Sequence, residues 1–514
     1  MAAPLLDWAE TSPSRVALLL PGGDAVREVT WEQLTHDVLR MAAYLRRSGV
    51  ERADRVVLWS DNRYEWIVID LAILLLGAVH VPLHGSLSPP AAAAQIAHAE
   101  PKMVIVSSEA MVAGLQRHTG GLALQRPIEV IEGGCEWLPL LERTANLPLA
   151  EGDEIVAESA EQFDPEAITT ILYSSGTSGE PKAVALTQAN LISNCRAIVS
   201  VFEEAPDERR LNFLPFSHIY ARTCDLYGWL TGGSQLALAR GRETVYADCQ
   251  ATRPTMLNAV PFFYDRVMQT VLQSQRDGAP VGIRDLLGPR IRMCISGGAP
   301  LPVSTFDFFH QHDVPLLPGY GLTESSPVIS MSTLDAFRRG AVGKAIPGIE
   351  VRFADDGELL TRGPHVMKEY WKDPKLTRET IRDGWLYTGD LGAIDEDGYI
   401  YITGRKKELL ALSTGKKAVP TYIESLLCRD PLIQQAMVVG NDRPFLAAIV
   451  VPNMELLRER LTQPGADPNA AIDLQAAETC APFQQAIAQQ LRDLLVREVF
   501  ALPVLIGMLS PVPG

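Results

Sequence analysis

Between residues 173 and 186 the chain reads YSSGTSGEPKAVAL, a run of small hydroxyl side chains, two glycines and one lysine set between apolar segments. That composition suits a loop that closes on phosphate. Gly176 and Gly179 let the backbone approach an anion, Ser174, Ser175, Thr177 and Ser178 supply hydroxyl donors, and Lys182 supplies a charge. The spacing is not that of a Walker loop, because Pro181 precedes the lysine and no helix-forming segment follows directly. The flanks ITTILY and KAVAL are rich in β-formers, which predicts strand, loop, strand. Such turn residues taken alone also describe an ordinary surface hairpin.

The string resembles the signature Y/F-T/S-S-G-T/S-T/S-G-x-P-K-G-V/A of the acyl-adenylate-forming (AMP-binding) family. That family includes acyl- and aryl-CoA synthetases, luciferases and the adenylation domains of peptide synthetases. Ala183 stands where its glycine is usual. Further segments match the same family in order. LPFSHIYAR is similar to the long-chain fatty acyl branch pattern L-P-L-S-H-I-x-E-R, with Ala221 in place of the glutamate, and the resemblance puts His218 beside the carboxylate pocket. SGGAP resembles the adenine-binding turn, with Gly297 and Gly298 under the base. GYGLTE resembles the segment in which Tyr320 stacks on adenine, Thr323 meets the α-phosphate and Glu324 ligates Mg2+. YTGD resembles the ribose-binding segment of Asp390. GRKKELL resembles the hinge, implying a ribose or phosphate contact for Arg405 and a pivot at Lys407. STGKKAVPTYIE resembles the loop that faces CoA after the C-terminal domain rotates, with Gly415 admitting the pantetheine arm and Tyr422 where an acid is common.

Family members close with a pattern like G-x-L/M-S/T-P-x-x-K, whose lysine serves adenylation, the first half-reaction, and not the second. In the register of GMLSPVPG, Gly514 occupies the lysine position, and no lysine follows Lys417. Adenylation brings a carboxylate toward the α-phosphate, and removing one preorganised donor of this kind costs about 10²–10³ in rate. Attack of CoA on a finished adenylate does not need that cation. The resemblance with this departure implies an acyl-CoA ligase competent mainly for thioester formation on an acyl-adenylate supplied by a separate adenylating enzyme. Two alternatives stay open: a complete ATP-dependent ligase that recruits Lys182, Arg405 or residues past 514, and an inactive nucleotide- or acyl-binding regulator. The implied ligands are CoA, the AMP moiety of an acyl-adenylate or ATP, Mg2+ where adenylation occurs, and a hydrophobic carboxylic acid.

The elements that must position these residues follow from the rest of the chain. With 514 residues, 47% hydrophobic and 21% charged, it is a soluble globular chain with room for about three units of ordinary size. A net charge of −16 argues against a nucleic-acid partner. Seven scattered cysteines without a C-x-x-C pair read as free thiols in a reducing cytoplasm. The apolar run WIVIDLAILLLGAVHVPL carries Asp70 and is too interrupted for a transmembrane segment, so it reads as a buried helix over 65–76 and then a strand. WEQLTHDVLRMAAYLRRSG has helical periodicity ahead of the strand RVVLWS. This alternation predicts an α/β fold, a large N-terminal domain of helix-covered, mainly parallel sheets over 1–403. Short runs broken by Gly and Asp predict a small β-barrel subdomain over 340–403, and residues 404–514 a small mobile α+β C-terminal domain hinged near Lys407.

Overall fold

A computed structural model describes residues 2–22, 25–119, 127–133, 139–174, 181–202, 207–414, 416–428, 432–453, 456 and 504–508. The chain divides into two compact units. The first comprises Met1–Val351, Thr361–Tyr387 and Asp397–Tyr399, and the second Arg352–Leu360, Thr388–Glu396 and Ile400–Gly514.

The first unit holds two large sheets whose central strands are parallel. In the seven-stranded sheet the order is Glu369–Tyr370, Lys182–Thr187, Ile168–Ser174, Val79–His84, Arg55–Ser60, Met103–Val106, Ile128–Val130. The first two of these run antiparallel to their inner neighbours. The nine-stranded sheet is parallel from Leu316–Gly321 through Met293–Ser296, Met256–Ala259, Arg209–Asn212 and Gln235–Leu238 to Val16–Pro21. Antiparallel strands finish both edges. Strands Lys344–Ala345 and Glu369–Tyr370, from the stretch read as a β-rich subdomain, are the outermost strands of the two large sheets.

Local sequence accounts for the helices that cover these sheets. Helix Trp31–Arg47 starts at a reciprocal cap, in which Gln33 N–H donates to Thr30 Oγ1 at 3.2 Å and Thr30 N–H to Gln33 Oε1 at 3.0 Å. It ends on Arg46 and Arg47, which suit the negative end of its dipole. Helix Tyr64–Leu75 buries every residue except Glu65, Asp70 included, so it has no solvent face, in keeping with apolar residues all round it. No helix among the described residues is long and apolar enough to cross a membrane.

In the second unit, strands Ile433–Val439 and Leu446–Pro452 pair antiparallel, Val504–Met508 adds parallel to the latter, and helix Pro420–Leu427 precedes them. Upstream, residues 390–394 pair antiparallel with 400–405, placing Asp390 opposite Arg405. The described cysteines, Cys195, Cys224, Cys249, Cys294 and Cys428, are all free.

Candidate active site

The phosphate-loop signature forms a hairpin. Strands Ile168–Ser174 and Lys182–Thr187 pair with Ser174 opposite Lys182 and Tyr173 opposite Ala183. The signature residues Ser175, Gly176, Thr177, Ser178 and Gly179 lie outside the described residues, as do Gly415 and Gly514. Ala183 turns its methyl into an apolar cluster against which Trp371 packs, and its carbonyl accepts the Trp371 N–H at 2.7 Å. The extra methyl at this position therefore faces the core.

Lys182 has its Nζ 5.1 Å from the centroid of the Tyr370 ring, within cation–π range. The hydroxyl of the same tyrosine donates to Glu324 Oε1 at 2.7 Å. Tyr370 thus touches both the lysine of the phosphate hairpin and the acid of GYGLTE. Burial first and the Glu324 charge second push its phenol above the ordinary value, so it stays a donor. Glu324 is fixed from the backbone as well, its carbonyl accepting the Met367 N–H at 2.8 Å. It lies in a short 3-10 turn, Thr323–Ser325, which Leu322 joins to the strand end at Tyr320 and Gly321. Gly321 is obligatory there, since a Cβ would come within 1.8 Å of the Pro327 carbonyl.

The turn at SGGAP follows strand Met293–Ser296. Gly298 has φ +81° and open space on its Cβ side apart from Val260 at 3.8 Å. Gly297 is different: a Cβ would stand 3.0 Å from Tyr220 Cζ, so the tyrosine ring fills the space that a side chain would need. The Tyr220 hydroxyl donates to the Ile295 carbonyl at 3.3 Å. LPFSHIYAR and SGGAP, separate motifs in the sequence, meet through that ring.

His218 caps the short turn Ile219–Ala221, its Nδ1 accepting the Tyr220 N–H at 3.2 Å. The residue is exposed to solvent. Desolvation, and then the neighbouring His84, hold its pKa below the ordinary histidine value. With Nδ1 an acceptor, the neutral ring carries its proton on Nε2.

Four residues on, Arg222 enters a fully buried cluster. One Nη2 lies 2.5 Å from Asp70 Oδ1 and 2.9 Å from His80 Nδ1, and Nη1 donates to Thr170 Oγ1 at 2.7 Å. Tyr227 donates to Asp70 Oδ2 at 3.0 Å. Burial alone would raise the Asp70 carboxyl. The Arg222 charge, with the bonds from His80 and Tyr227, more than offsets this and leaves it below the ordinary range. The cluster ties helix Tyr64–Leu75, strands Val79–His84 and Ile168–Ser174 and the π-helical turn Arg222–Tyr227 into one body beneath the motif. Beside it lies Asp225, accepting from Asn212 Nδ2 at 2.8 Å and from Asn258 Nδ2 at 2.5 Å. Desolvation raises this carboxyl to about 6.

In the second unit Arg405 Nε lies 3.1 Å from Asp390 Oδ1, and the Asp390 carboxylate is almost wholly buried while Arg405 is half exposed. The Thr388 hydroxyl accepts the Asp390 N–H at 3.1 Å. Lys406, adjoining the hinge residue Lys407, bonds to Asp356 at 2.6 Å and Glu358 at 2.8 Å, which raises its pKa. Lys182, His218, Gly297, Gly298, Tyr320, Thr323 and Glu324 fall in the first unit, and Asp390, Arg405 and Lys407 in the second.

Tyr370, Tyr220 and Arg222 are functional candidates that the motif reading left unassigned. Arg222 had a signal in Asp70, an acid inside an apolar run, which needs a buried partner. Tyr370 had none in its own neighbourhood.

Residues 5–371 match the AMP-binding enzyme family, and residues 407–474 match the AMP-binding enzyme C-terminal domain. A similar protein is the long-chain-fatty-acid–CoA ligase FadD15 of Mycobacterium tuberculosis, 31% identical over 471 residues, spanning 83% of this chain and 78% of its own. Another is the indoleacetate–CoA ligase of Aromatoleum aromaticum, 30% identical over 482 residues, 87% of this chain and 88% of its own. Among solved structures, ATP-bound MatB from Rhodopseudomonas palustris superposes with a TM-score of 0.75 at 26% identity, covering 98% of this chain and 95% of that one. The anthranilate CoA ligase AuaEII with anthranoyl-AMP shares the fold, with a TM-score of 0.81 at 20% identity over 100% of this chain and 94% of that one. The chain belongs to the AMP-binding enzyme family, among its acyl-CoA synthetases.

Proposed function

We propose that this protein joins a hydrophobic carboxylic acid to CoA through an acyl-adenylate, and that thioester formation is the half-reaction it performs best. The observation that carries the ligase reading is that Tyr370 meets both the Lys182 ammonium and the Glu324 carboxylate. A cation for nucleotide phosphate and an acid for a phosphate-bound metal are what adenylate chemistry requires in one place. The curated relatives named for long-chain fatty acid and indoleacetate support a hydrophobic acid.

Among the described residues no three His, Cys, Asp or Glu side chains cluster as a metal cage. The donor set nonetheless fits Mg2+, which is ordinarily held by one or two carboxylates plus substrate phosphates and water. Tyr370 occupies Glu324 Oε1 and leaves Oε2 for such an ion, which would neutralise phosphate charge when bound.

In the first half-reaction a carboxylate oxygen bonds to the α-phosphorus and pyrophosphate leaves. In the second the CoA sulfur bonds to the acyl carbon, AMP leaves with the electron pair of the broken C–O bond, and the thiol proton passes to solvent. Lys182 holds phosphate, Thr323 and the hairpin hydroxyls orient it, Tyr320 with Gly297 and Gly298 seat adenine, and Asp390 with Arg405 holds ribose. His218 lies by the reacting carboxyl, Lys407 is the pivot of the C-terminal residues 404–514, and Gly415 is the glycine assigned to the CoA arm. Glycine at position 514, in the register of the adenylation lysine, weakens the first half-reaction and makes a separate adenylating enzyme the natural supplier.

Two assays test this. Given a synthetic dodecanoyl-adenylate and CoA, the protein should form the thioester at least 100-fold faster than from ATP, dodecanoic acid and CoA, and Gly514→Lys should narrow the gap. Comparable turnover of both mixtures would overturn the half-reaction preference and leave a complete ligase. Absence of thioester from either would overturn the ligase and favour a binding regulator.

A further inference from the structure

The carboxyl ends of strands Arg55–Ser60 and Val79–His84 lie side by side in register, Ser60 opposite His84. Past the first of them, Asn62 bonds to the segment that ends at His218. Asn62 accepts the Phe216 N–H at 2.8 Å and donates to the Leu214 carbonyl at 2.6 Å and to Asn212 Oδ1 at 2.7 Å. It therefore clamps the segment that ends at His218. Asp61 lies against Gly85, where a Cβ would fall 2.1 Å from its Oδ1. Only glycine lets the loop after His84 approach so closely. The dipeptide Asp61–Asn62 thus holds the His84 loop and the His218 loop together.

The two histidines are built alike. His84 Nδ1 accepts the N–H of Ser86 at 3.2 Å and its hydroxyl at 2.8 Å, while the His84 carbonyl accepts Trp59 Nε1–H at 3.1 Å. His218 Nδ1 accepts the N–H of Tyr220, also two residues ahead, at 3.2 Å. In both residues Nδ1 is committed as an acceptor, which leaves Nε2 to carry the ring N–H. The two histidines stand on loops joined through Asp61 and Asn62, and His84 is, after desolvation, the second cause holding the His218 pKa below its ordinary value.

Resting on the ligase reading above, we propose that His84 is a second substrate-facing histidine, presenting its Nε2–H beside that of His218 to the oxygen of the acyl carboxylate and, after adenylation, of the acyl carbonyl. Two Nε2–H donors aimed at one oxygen hold it through both half-reactions. Preorganised donors of this kind need no rearrangement as charge develops on that oxygen.

The test compares two probes on the full chain by calorimetry, dodecanoyl-sulfamoyl adenosine, which keeps the acyl carbonyl, and AMP, which lacks it. His84→Ala should weaken the sulfamate roughly 5- to 20-fold, the loss expected for one hydrogen bond, and leave AMP within about 2-fold. His84→Gln, whose amide nitrogen reaches the Nε2 position, should bind as wild type, whereas His84→Asn, which reaches only Nδ1, should resemble the alanine variant. This pair decides the matter even where the alanine variant does not fold. The double variant with His218→Ala should lose less than the product of the single losses, because both donors address one oxygen. An unchanged sulfamate affinity in His84→Ala and His84→Asn, or an equal loss for AMP, would overturn the role of His84 while leaving the ligase standing. Failure of the wild-type protein to bind either probe would overturn the ligase itself, and the role of His84 with it.

Discussion

The Tyr370 hydroxyl donates to Glu324 Oε1 at 2.7 Å while the face of the same ring lies 5.1 Å from the Lys182 ammonium. One side chain therefore has two separable functions. Tyr370→Phe removes the hydrogen bond and keeps the ring. A bond to a charged group contributes about 1.5–3 kcal/mol. Relative to wild type we expect a lower melting temperature and an ATP affinity reduced up to roughly tenfold in Mg2+ and little changed in EDTA. Tyr370→Ala should weaken nucleotide binding in both. Equal losses for Phe and Ala, measured by titration, would refute the division.

Gly297 and Tyr220 form a steric pair, since a Cβ at 297 would stand 3.0 Å from Tyr220 Cζ and 3.3 Å from its hydroxyl oxygen. Gly297→Ala must displace the ring and with it the bond to the Ile295 carbonyl. AMP affinity should fall about tenfold in Gly297→Ala, and a second change, Tyr220→Ala, should restore part of it. Strictly multiplicative losses would show that the two positions act independently.

Asp225 supplies a pH dependence of defined sign. Its folded carboxyl titrates at about 6 because burial disfavours the charge, against an unfolded value near 3.8. The folded state therefore holds an extra proton between those values, and stability falls as pH rises through that window, by about 3 kcal/mol when complete. Asp225→Asn removes this slope. Its amide finds an acceptor when Asn258 turns over, since Asn258 Oδ1 has no partner among the described residues. Denaturant melts at pH 4.5 and 7.5 should show the variant gaining on wild type at the higher pH, and a constant difference would contradict this.

Breaking the buried cluster from one side should be costly. Arg222→Met leaves the Asp70 charge sealed without its principal partner, and such losses reach about 3–5 kcal/mol. Adding Asp70→Leu should recover much of the stability, because no charge then remains to be buried. Thermal melts of the two variants decide it, and a double variant no better than the single would argue against uncompensated charge as the cause.

Much of this architecture was legible because it is local. The hairpin around YSSGTSGEPKAVAL follows from β-formers on either side of turn residues, the buried helix from an apolar run interrupted by a single acid, Asp70, and the helix before RVVLWS from the periodicity of WEQLTHDVLRMAAYLRRSG. The pairing of Asp390 with Arg405 was harder to read, since both appear in recognisable segments but only strand register sets them opposite each other. Tyr370 was out of reach, 46 residues from Glu324, in a segment whose aromatic pair could equally have been core packing. Asp70 announced a buried partner, yet that partner lies 152 residues away and only the folded sheet selects Arg222.

The buried Asp70–Arg222–His80 group also bears on temperature. Ion hydration carries a strongly negative entropy, so withdrawing these charges from water becomes less unfavourable on warming, while apolar burial gains little more. Heating should therefore loosen the aliphatic periphery of the first unit before it releases the segment bearing His218, and protection of that segment's amides in hydrogen exchange should outlast that of helix Pro89–Ala99.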